Sequence, residues 1–208
     1  MHRYRTAFRS KVIPAYYSGR LHILCFTVLE ILAIAFVATL IDWEPLSILY
    51  ILLSLMYATS FTYFLHKYML HRPLKGFGWA YKMHHWHHTF YKSRHMEYDH
   101  INDIYMLFMP PWLQMLYFFF YLPLLSVLLS LILPSFIVMH FIFALTLYYA
   151  IYELVHWLEH LPATHPLMKI KFIDYMRRHH VVHHSNLKDV ANFGIAEPSL
   201  DYIFQTKK

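Results

Sequence analysis

Four long apolar runs alternate with polar, histidine-rich segments along the 208 residues of this chain. The runs cover about 21–41, 46–66, 111–133 and 135–156. Each approaches the ~20 residues that a helix needs to cross the hydrocarbon layer of a membrane. Their apolar positions are continuous and do not alternate as they do in the strands of a membrane barrel. The pattern therefore predicts an all-α integral membrane protein with four transmembrane helices.

The connections between the runs predict how these helices pair. Asp42–Pro45 separates the first two runs and Leu133–Ser135 separates the last two, so each pair is expected to form an antiparallel helical hairpin. The remaining segments, about 67–110 and 157–208, are too long for simple loops and are expected to fold together as a helical cytoplasmic cap. A chain of this length is predicted to form a single domain over residues 1–208.

The positions of the basic residues predict the orientation in the membrane. All 18 Lys and Arg lie before residue 21, between 67 and 94, or after 168, and the two short connections carry none. The positive-inside rule places these three regions in the cytoplasm, for a multi-pass protein of the endoplasmic reticulum or of a bacterial inner membrane. The basic, aromatic segment 1–20 is expected to rest on the membrane surface. Because topology accounts for the net charge of +6, no nucleic-acid partner is expected.

Ten histidines fall into four short boxes, two of which come at the ends of apolar runs. Residues three or four apart share a face of a helix, so the members of an HxxHH or HxxxH box are expected to point the same way. The HxxxxH box differs, because five residues turn a helix by about 140°. Its two members either serve different metals or lie where the helix unwinds. The boxes consist of His66 and His71; His84, His87 and His88; His156 and His160; and His180, His183 and His184.

Depth in the membrane brings these boxes to one level. His66 lies about 31 Å along a straight helix from Pro45, and His156 lies about 33 Å from Pro134, against a hydrocarbon layer of about 30 Å. Both therefore emerge at the cytoplasmic boundary, where the two polar segments can meet them.

Clustered imidazoles are costly to bury unless metal or hydrogen bonds occupy their nitrogens. A structural zinc takes four ligands, so this number of imidazoles indicates two metals. Imidazole itself suits iron, zinc, copper or nickel, and the single cysteine excludes a cysteine-based cage.

The boxes as they stand are HKYMLH at 66–71, HHWHH at 84–88, HWLEH at 156–160 and HHVVHH at 179–184. Their order and spacing resemble the HxxxxH, HxxHH, HxxxH and HxxHH pattern of the fatty acid hydroxylase/sterol desaturase superfamily of membrane di-iron oxygenases. The tail FGIAEPSLDYIF at 193–204 is similar to the stretch that follows the last box in that superfamily. Met109-Pro110-Pro111 resembles the corresponding stretch of fatty acid 2-hydroxylases in particular. The resemblance covers about 64–208.

This resemblance implies two iron ions held by the ten boxed histidines, with O2 as co-substrate. It implies hydroxylation of the acyl chain of a membrane lipid, with the 2-position of a fatty acid or sphingolipid as one option. Zinc is an expected substitute for iron in purified protein. The chain lacks the His-Pro-Gly-Gly motif of a fused cytochrome b5 domain. Two electrons are therefore expected from a separate donor, such as cytochrome b5 or a ferredoxin with its reductase.

Other activities share these boxes. A desaturase, a sterol oxidase and a carotenoid hydroxylase of the same superfamily are alternatives. A histidine-rich metal transporter is a remote one, because transported ions bind near the bilayer midplane.

Several polar residues outside the ligand set have expected roles of their own. His85 and His179 adjoin ligand boxes and are expected to lie outside them. Glu153, one helical turn before His156, is expected to hydrogen-bond a ligand imidazole, and Asp174 and Asp201 are weaker candidates for the same role. His140 stands alone in the middle of the fourth run and is expected to be a hydrogen-bonded core histidine.

Overall fold

Helices account for the regular structure in the part of the chain that the computed structural model describes, residues 2–185 and 190–208. Within these ranges the extended pairing is limited to an isolated bridge between Lys92 and His95. The all-α prediction is confirmed. The α-helices are α1 His2–Val12, α2 Gly19–Ala38, α3 Ser47–Leu65, α4 Gly78–Phe90, α5 Pro111–Leu116, α6 Leu122–Ser130, α7 Ser135–Glu159, α8 Lys171–His183 and α9 Ser199–Ile203.

Four helical stretches in the described residues are long and apolar enough to cross a membrane, and they match the four predicted runs. Large apolar side chains on α2, such as Ile31 at 61% and Phe36 at 65%, are left exposed. Apolar surface of this extent indicates a face that lipid covers. The pairing of the spans as hairpins stays a prediction. The spans are Gly19–Ala38, Ser47–Leu70, Pro111–Ser130 and Ser135–Glu159.

The chain separates into two compact units. We call the first the spanning unit; it comprises Leu21–Thr59 and Met109–Ile151. The second, the histidine unit, contains all ten boxed histidines and comprises Met1–Arg20, Ser60–Phe108 and Tyr152–Lys208. Each unit is assembled from separate stretches of the sequence, so neither corresponds to a contiguous segment.

The spanning unit uses His140 to join α3 to α7. Nδ1 of His140 donates to the carbonyl oxygen of Phe136 at 2.6 Å. Because that nitrogen carries the proton, the hydroxyl of Ser47 donates to Nε2, at 2.7 Å. The ring is fully buried, with both nitrogens bonded, and the Tyr50 ring packs 5.4 Å from it. The prediction of a hydrogen-bonded core histidine is confirmed.

The histidine unit begins with α1, which packs against the segment that follows α4. Arg3 and Lys11 point to solvent, whereas Arg5 is only 4% exposed. After α1, the chain at Gly19 packs against the backbone of Ile101 and Asn102. The backbone N–H of Gly19 donates to Asn102 Oδ1 at 2.9 Å, and a Cβ at this glycine would lie 2.1 Å from the carbonyl oxygen of Ile101. Glycine is therefore required where α2 begins.

Candidate metal centre

The structure brings the boxed histidines together into two clusters inside the histidine unit. In each cluster one ring nitrogen per residue lies within 4.8 Å of those of all the other members. His156 stands beside the second cluster, with its Nε2 3.3 Å from Nε2 of His87. The clusters touch, because the rings of His88 and His184 stack with their centroids 4.1 Å apart. The first cluster consists of His66, His71, His84, His88 and His183; the second consists of His87, His160, His180 and His184.

Each HxxHH box serves both clusters. On α4, His84 and His88 are four residues apart and enter the first cluster, while His87 between them enters the second. The box on α8 reverses this assignment: its outer pair enters the second cluster and its middle member, His183, enters the first. Residues at i and i+4 lie nearly above one another, whereas i+3 is displaced to the other side of that line. The three members of each box therefore point toward the same pair of clusters, as expected, but they do not enter the same cluster.

A π-helical turn explains the HxxxxH box, whose two histidines are five positions apart. Residues His66–Leu70, directly after α3, form this wider turn. Its hydrogen bonds run from residue i to i+5, so His71 returns to the side of the helix that His66 occupies. Their Nε2 atoms are 3.3 Å apart. Of the two alternatives for this box, the departure from α-helical geometry is the one observed, and both residues serve one cluster.

Two loop segments hold the rings by their outer nitrogens. The segment at 191–193 serves the first cluster, where Nδ1 of His183 donates to Ala191 O at 2.8 Å and Nδ1 of His66 donates to Phe193 O at 2.7 Å. The segment at 91–106 serves the second. There the carbonyls of Tyr91, Met96 and Met106 accept from Nδ1 of His184, His160 and His87, respectively. Such partners fix both the tautomer and the orientation of an imidazole.

Nε2 of His87 and Nε2 of His184 face inward and cannot hydrogen-bond to each other. A carbonyl oxygen only accepts, so an Nδ1 bonded to one carries the proton, and Nε2 of the neutral ring keeps a bare lone pair. His87 and His184 are both held in this way, yet their Nε2 atoms are 3.0 Å apart. Burial lowers the pKa of His87 to about 4 and that of His184 well below its usual value, so both rings are neutral at pH 7. Converging lone pairs of this kind are stabilised by a cation between them, and the donor set fits a metal ion.

Asp201, on α9, organises the segment that supports the first cluster. Its carboxylate accepts from the backbone N–H of Phe193 and Gly194, at 2.8 and 2.7 Å. It also accepts from the Thr206 hydroxyl at 2.6 Å and from Nε2 of His179 at 3.0 Å. Burial would raise the pKa of Asp201, but these hydrogen bonds outweigh it and lower the pKa below its usual range. His179 therefore lies outside both clusters, as expected, and Asp201 bonds it rather than a cluster member.

Glu159 is a residue that sequence reasoning missed. Its Oε2 lies 3.5 Å from Nδ1 of His180, and both side chains are buried. Among the described residues, no hydrogen bond satisfies this nitrogen or either carboxylate oxygen. The sequence indicates Glu153 for such a role, and that residue is also buried. The signal for Glu159 was its place inside the HWLEH box, three residues after His156 and thus on the same helix face.

Access from the surface differs between the two clusters. A small opening is lined by Leu70, His71, Tyr81, His84, His85 and His88, three of which belong to the first cluster. The members of the second cluster are all buried. His85 itself is exposed and stacks on Tyr81 with ring centroids 5.7 Å apart. It therefore lies outside both clusters, as expected.

Comparison with known protein families identifies the family of this chain. The profile of the fatty acid hydroxylase family matches residues 51–206, which contain all four histidine boxes. No curated protein and no solved structure matches the chain. A profile match over three quarters of the chain, on the residues that build both clusters, shows that this chain belongs to the fatty acid hydroxylase family.

Proposed function

We propose that this protein is a membrane di-iron oxygenase that hydroxylates the acyl chain of a lipid. The observation that carries the proposal is the inward convergence of neutral imidazole nitrogens in two adjacent clusters. Each cluster would hold one ion, with His156 completing the second. Family membership supports an oxidoreductase that acts on lipids, and the apolar spans support a substrate taken from the membrane.

An iron pair bound there would supply the redox chemistry that opens an unactivated C–H bond with O2. The balanced reaction takes one acyl chain, one O2, two electrons and two protons, and it yields one hydroxylated chain and one water. The chain's own residues keep the ligands in place. Carbonyls of the two loop segments hold the Nδ1 protons, so that every Nε2 fixed in this way stays free to bind. Burial of the second cluster excludes bulk water from the reacting region.

The orientation and the electron donor belong to the same proposal. The positive-inside rule supports a cytoplasmic site in the endoplasmic reticulum or in a bacterial inner membrane. A separate cytochrome b5 or ferredoxin, with its reductase, would deliver the electrons. Exposed cations in the sequence around the opening, Arg72, Lys75 and Lys82, support an acidic partner on this side.

Lipid mass spectrometry tests the proposal. Cells expressing the wild-type protein under ¹⁸O2 should gain a lipid heavier by one ¹⁸O atom on an acyl chain, with the 2-position as the expected carbon. Cells expressing His183→Ala should lack it. Loss of two hydrogens without oxygen would instead identify a desaturase. No change in lipids, combined with altered cellular metal content, would overturn the proposal in favour of transport.

The Glu159→Gln substitution is expected to weaken metal binding at the second cluster. A carboxylate beside the outer nitrogen of an imidazole ligand strengthens it as a donor, and removing such a partner costs about 10 to 100-fold in metal affinity. Competition with a calibrated zinc chelator measures this loss. Glu44→Gln, at an exposed position in the first connection, is the control. Equal affinities for both variants would show that Glu159 has no such role.

A further inference from the structure

The segment at 91–106 supports the second cluster through its backbone. Its carbonyls at Tyr91, Met96 and Met106 accept from three cluster members. The segment contains a short 3-10 helix, Ile101–Met106, and otherwise lacks helix in this stretch. A loop that must present three carbonyls in fixed directions needs support from outside itself.

Arg5 of α1 gives the first part of that support. Its Nη1 donates to the carbonyl oxygen of Glu97 at 2.7 Å, and its Nη2 donates to that of His95. The guanidinium group lies 4.9 Å from the ring centroid of Phe90 and 5.5 Å from that of Tyr91. These contacts fall on both sides of Met96, whose carbonyl holds His160.

Arg9 gives the second part, through a buried carboxylate. Its Nε donates to Asp103 Oδ1 at 2.6 Å and its Nη2 donates to Asp103 Oδ2 at 2.8 Å, a bidentate pair. Asp103 is fully buried. The same carboxylate accepts from the backbone N–H groups of Asp99 and His100, each at 3.2 Å. Asp103 also closes the capping box of the 3-10 helix that ends at Met106.

Tyr91 links the two ends of the segment. Its hydroxyl donates to the carbonyl oxygen of Asp103 at 3.0 Å, and its ring is fully buried. The carbonyl of the same residue accepts from His184. A shift of Asp103 is therefore transmitted through Tyr91 to His184, and through Met106 to His87.

We propose that Arg5 and Arg9 are positioning residues for the second metal, acting through the backbone of segment 91–106. Both lie on α1, outside residues 51–206 that match the family profile. The segment that supports the first cluster, 191–193, has a separate anchor in Asp201. The inference rests on the proposed function, because it presumes one metal in each cluster. It adds that loss of the α1 contacts releases the metal ion of the second cluster and leaves the ion of the first cluster bound.

Elemental analysis of purified, zinc-loaded full-length variants tests this selectivity. Wild type should hold two ions per chain, and Arg9→Met should hold one. His84→Ala, which removes a ligand of the first cluster, should also hold one, and the double variant Arg9→Met/His84→Ala should hold none. Arg3→Met, an exposed arginine of the same helix, is the matched control and should hold two. If Arg9→Met does not fold, Arg9→Lys replaces it, with an expected loss of about 10 to 100-fold in affinity for one ion by chelator titration.

Three results would overturn the inference. Arg9→Met with two tightly bound ions would show that α1 does not position the second cluster. One ion in the double variant would show that Arg9 acts on the same cluster as His84. Equal weakening of both ions by Arg9→Lys would indicate a general structural role. Wild-type protein without metal would instead refute the proposed function, and the inference with it.

Discussion

Replacing His84 with alanine is expected to leave one metal ion per chain and to abolish hydroxylated product. Its Nε2 lies 3.0 Å from the Nε2 atoms of His66, His71 and His88, which are all members of the first cluster. Loss of an outer partner already costs about 10 to 100-fold at metal sites, and loss of a direct ligand should exceed that. Elemental analysis and lipid mass spectrometry on the same preparation measure both effects.

His85→Ala is the matched control for this substitution. The two residues are neighbours on α4, but His85 is exposed and belongs to neither cluster. It should keep two ions per chain. If His84→Ala also kept both ions, or if the His85 variant lost one, the assignment of ligands on α4 would be wrong.

The second large effect is expected for Asp201→Ala. This change removes the acceptor of four hydrogen bonds and leaves the N–H groups of Phe193 and Gly194 buried without a partner. An unsatisfied buried donor costs about 1 to 3 kcal/mol. The backbone is closely packed at Gly194, where a Cβ would lie 2.2 Å from the carbonyl oxygen of Glu197. We expect a lower melting temperature in detergent and loss of the first metal in preference to the second.

Two comparisons give this prediction its specificity. Asp174→Ala removes a half-exposed carboxylate that pairs with Arg178 on the surface of α8, and such changes usually stay within about 0.5 kcal/mol. Combining Asp201→Ala with His84→Ala should leave one ion, because both act on the first cluster. A double variant without metal would mean that Asp201 also supports the second cluster.

The sequence predicted those features of the structure that depend on the identity of the side chains. Continuous apolar runs gave the four spans, and the histidine spacing gave the residues that form the clusters. These predictions succeed because hydrophobic burial and helical periodicity act on the identity of each residue.

Backbone features could not be predicted in the same way. The HxxxxH spacing left the π-helical turn at His66–Leu70 as one of two alternatives, and this turn decides that His66 and His71 share a cluster. The supporting groups are carbonyls, at positions such as Ala191, Phe193 and Met96, where any residue supplies the same oxygen. The contacts of Arg5 and Arg9 with segment 91–106 join residues about 90 positions apart in the sequence. The local pattern of α1 gives no signal for them.

The central claim is that two metal ions lie among the boxed imidazoles, and X-ray absorption at the metal edge tests it most directly. The purified protein, loaded with zinc, should contain two ions per chain by elemental analysis. Its spectrum should show a shell of nitrogen at about 2.0 to 2.1 Å with the scattering pattern of imidazole rings. A shell of sulfur, a shell of oxygen alone, or a protein that binds no metal after loading would contradict the account.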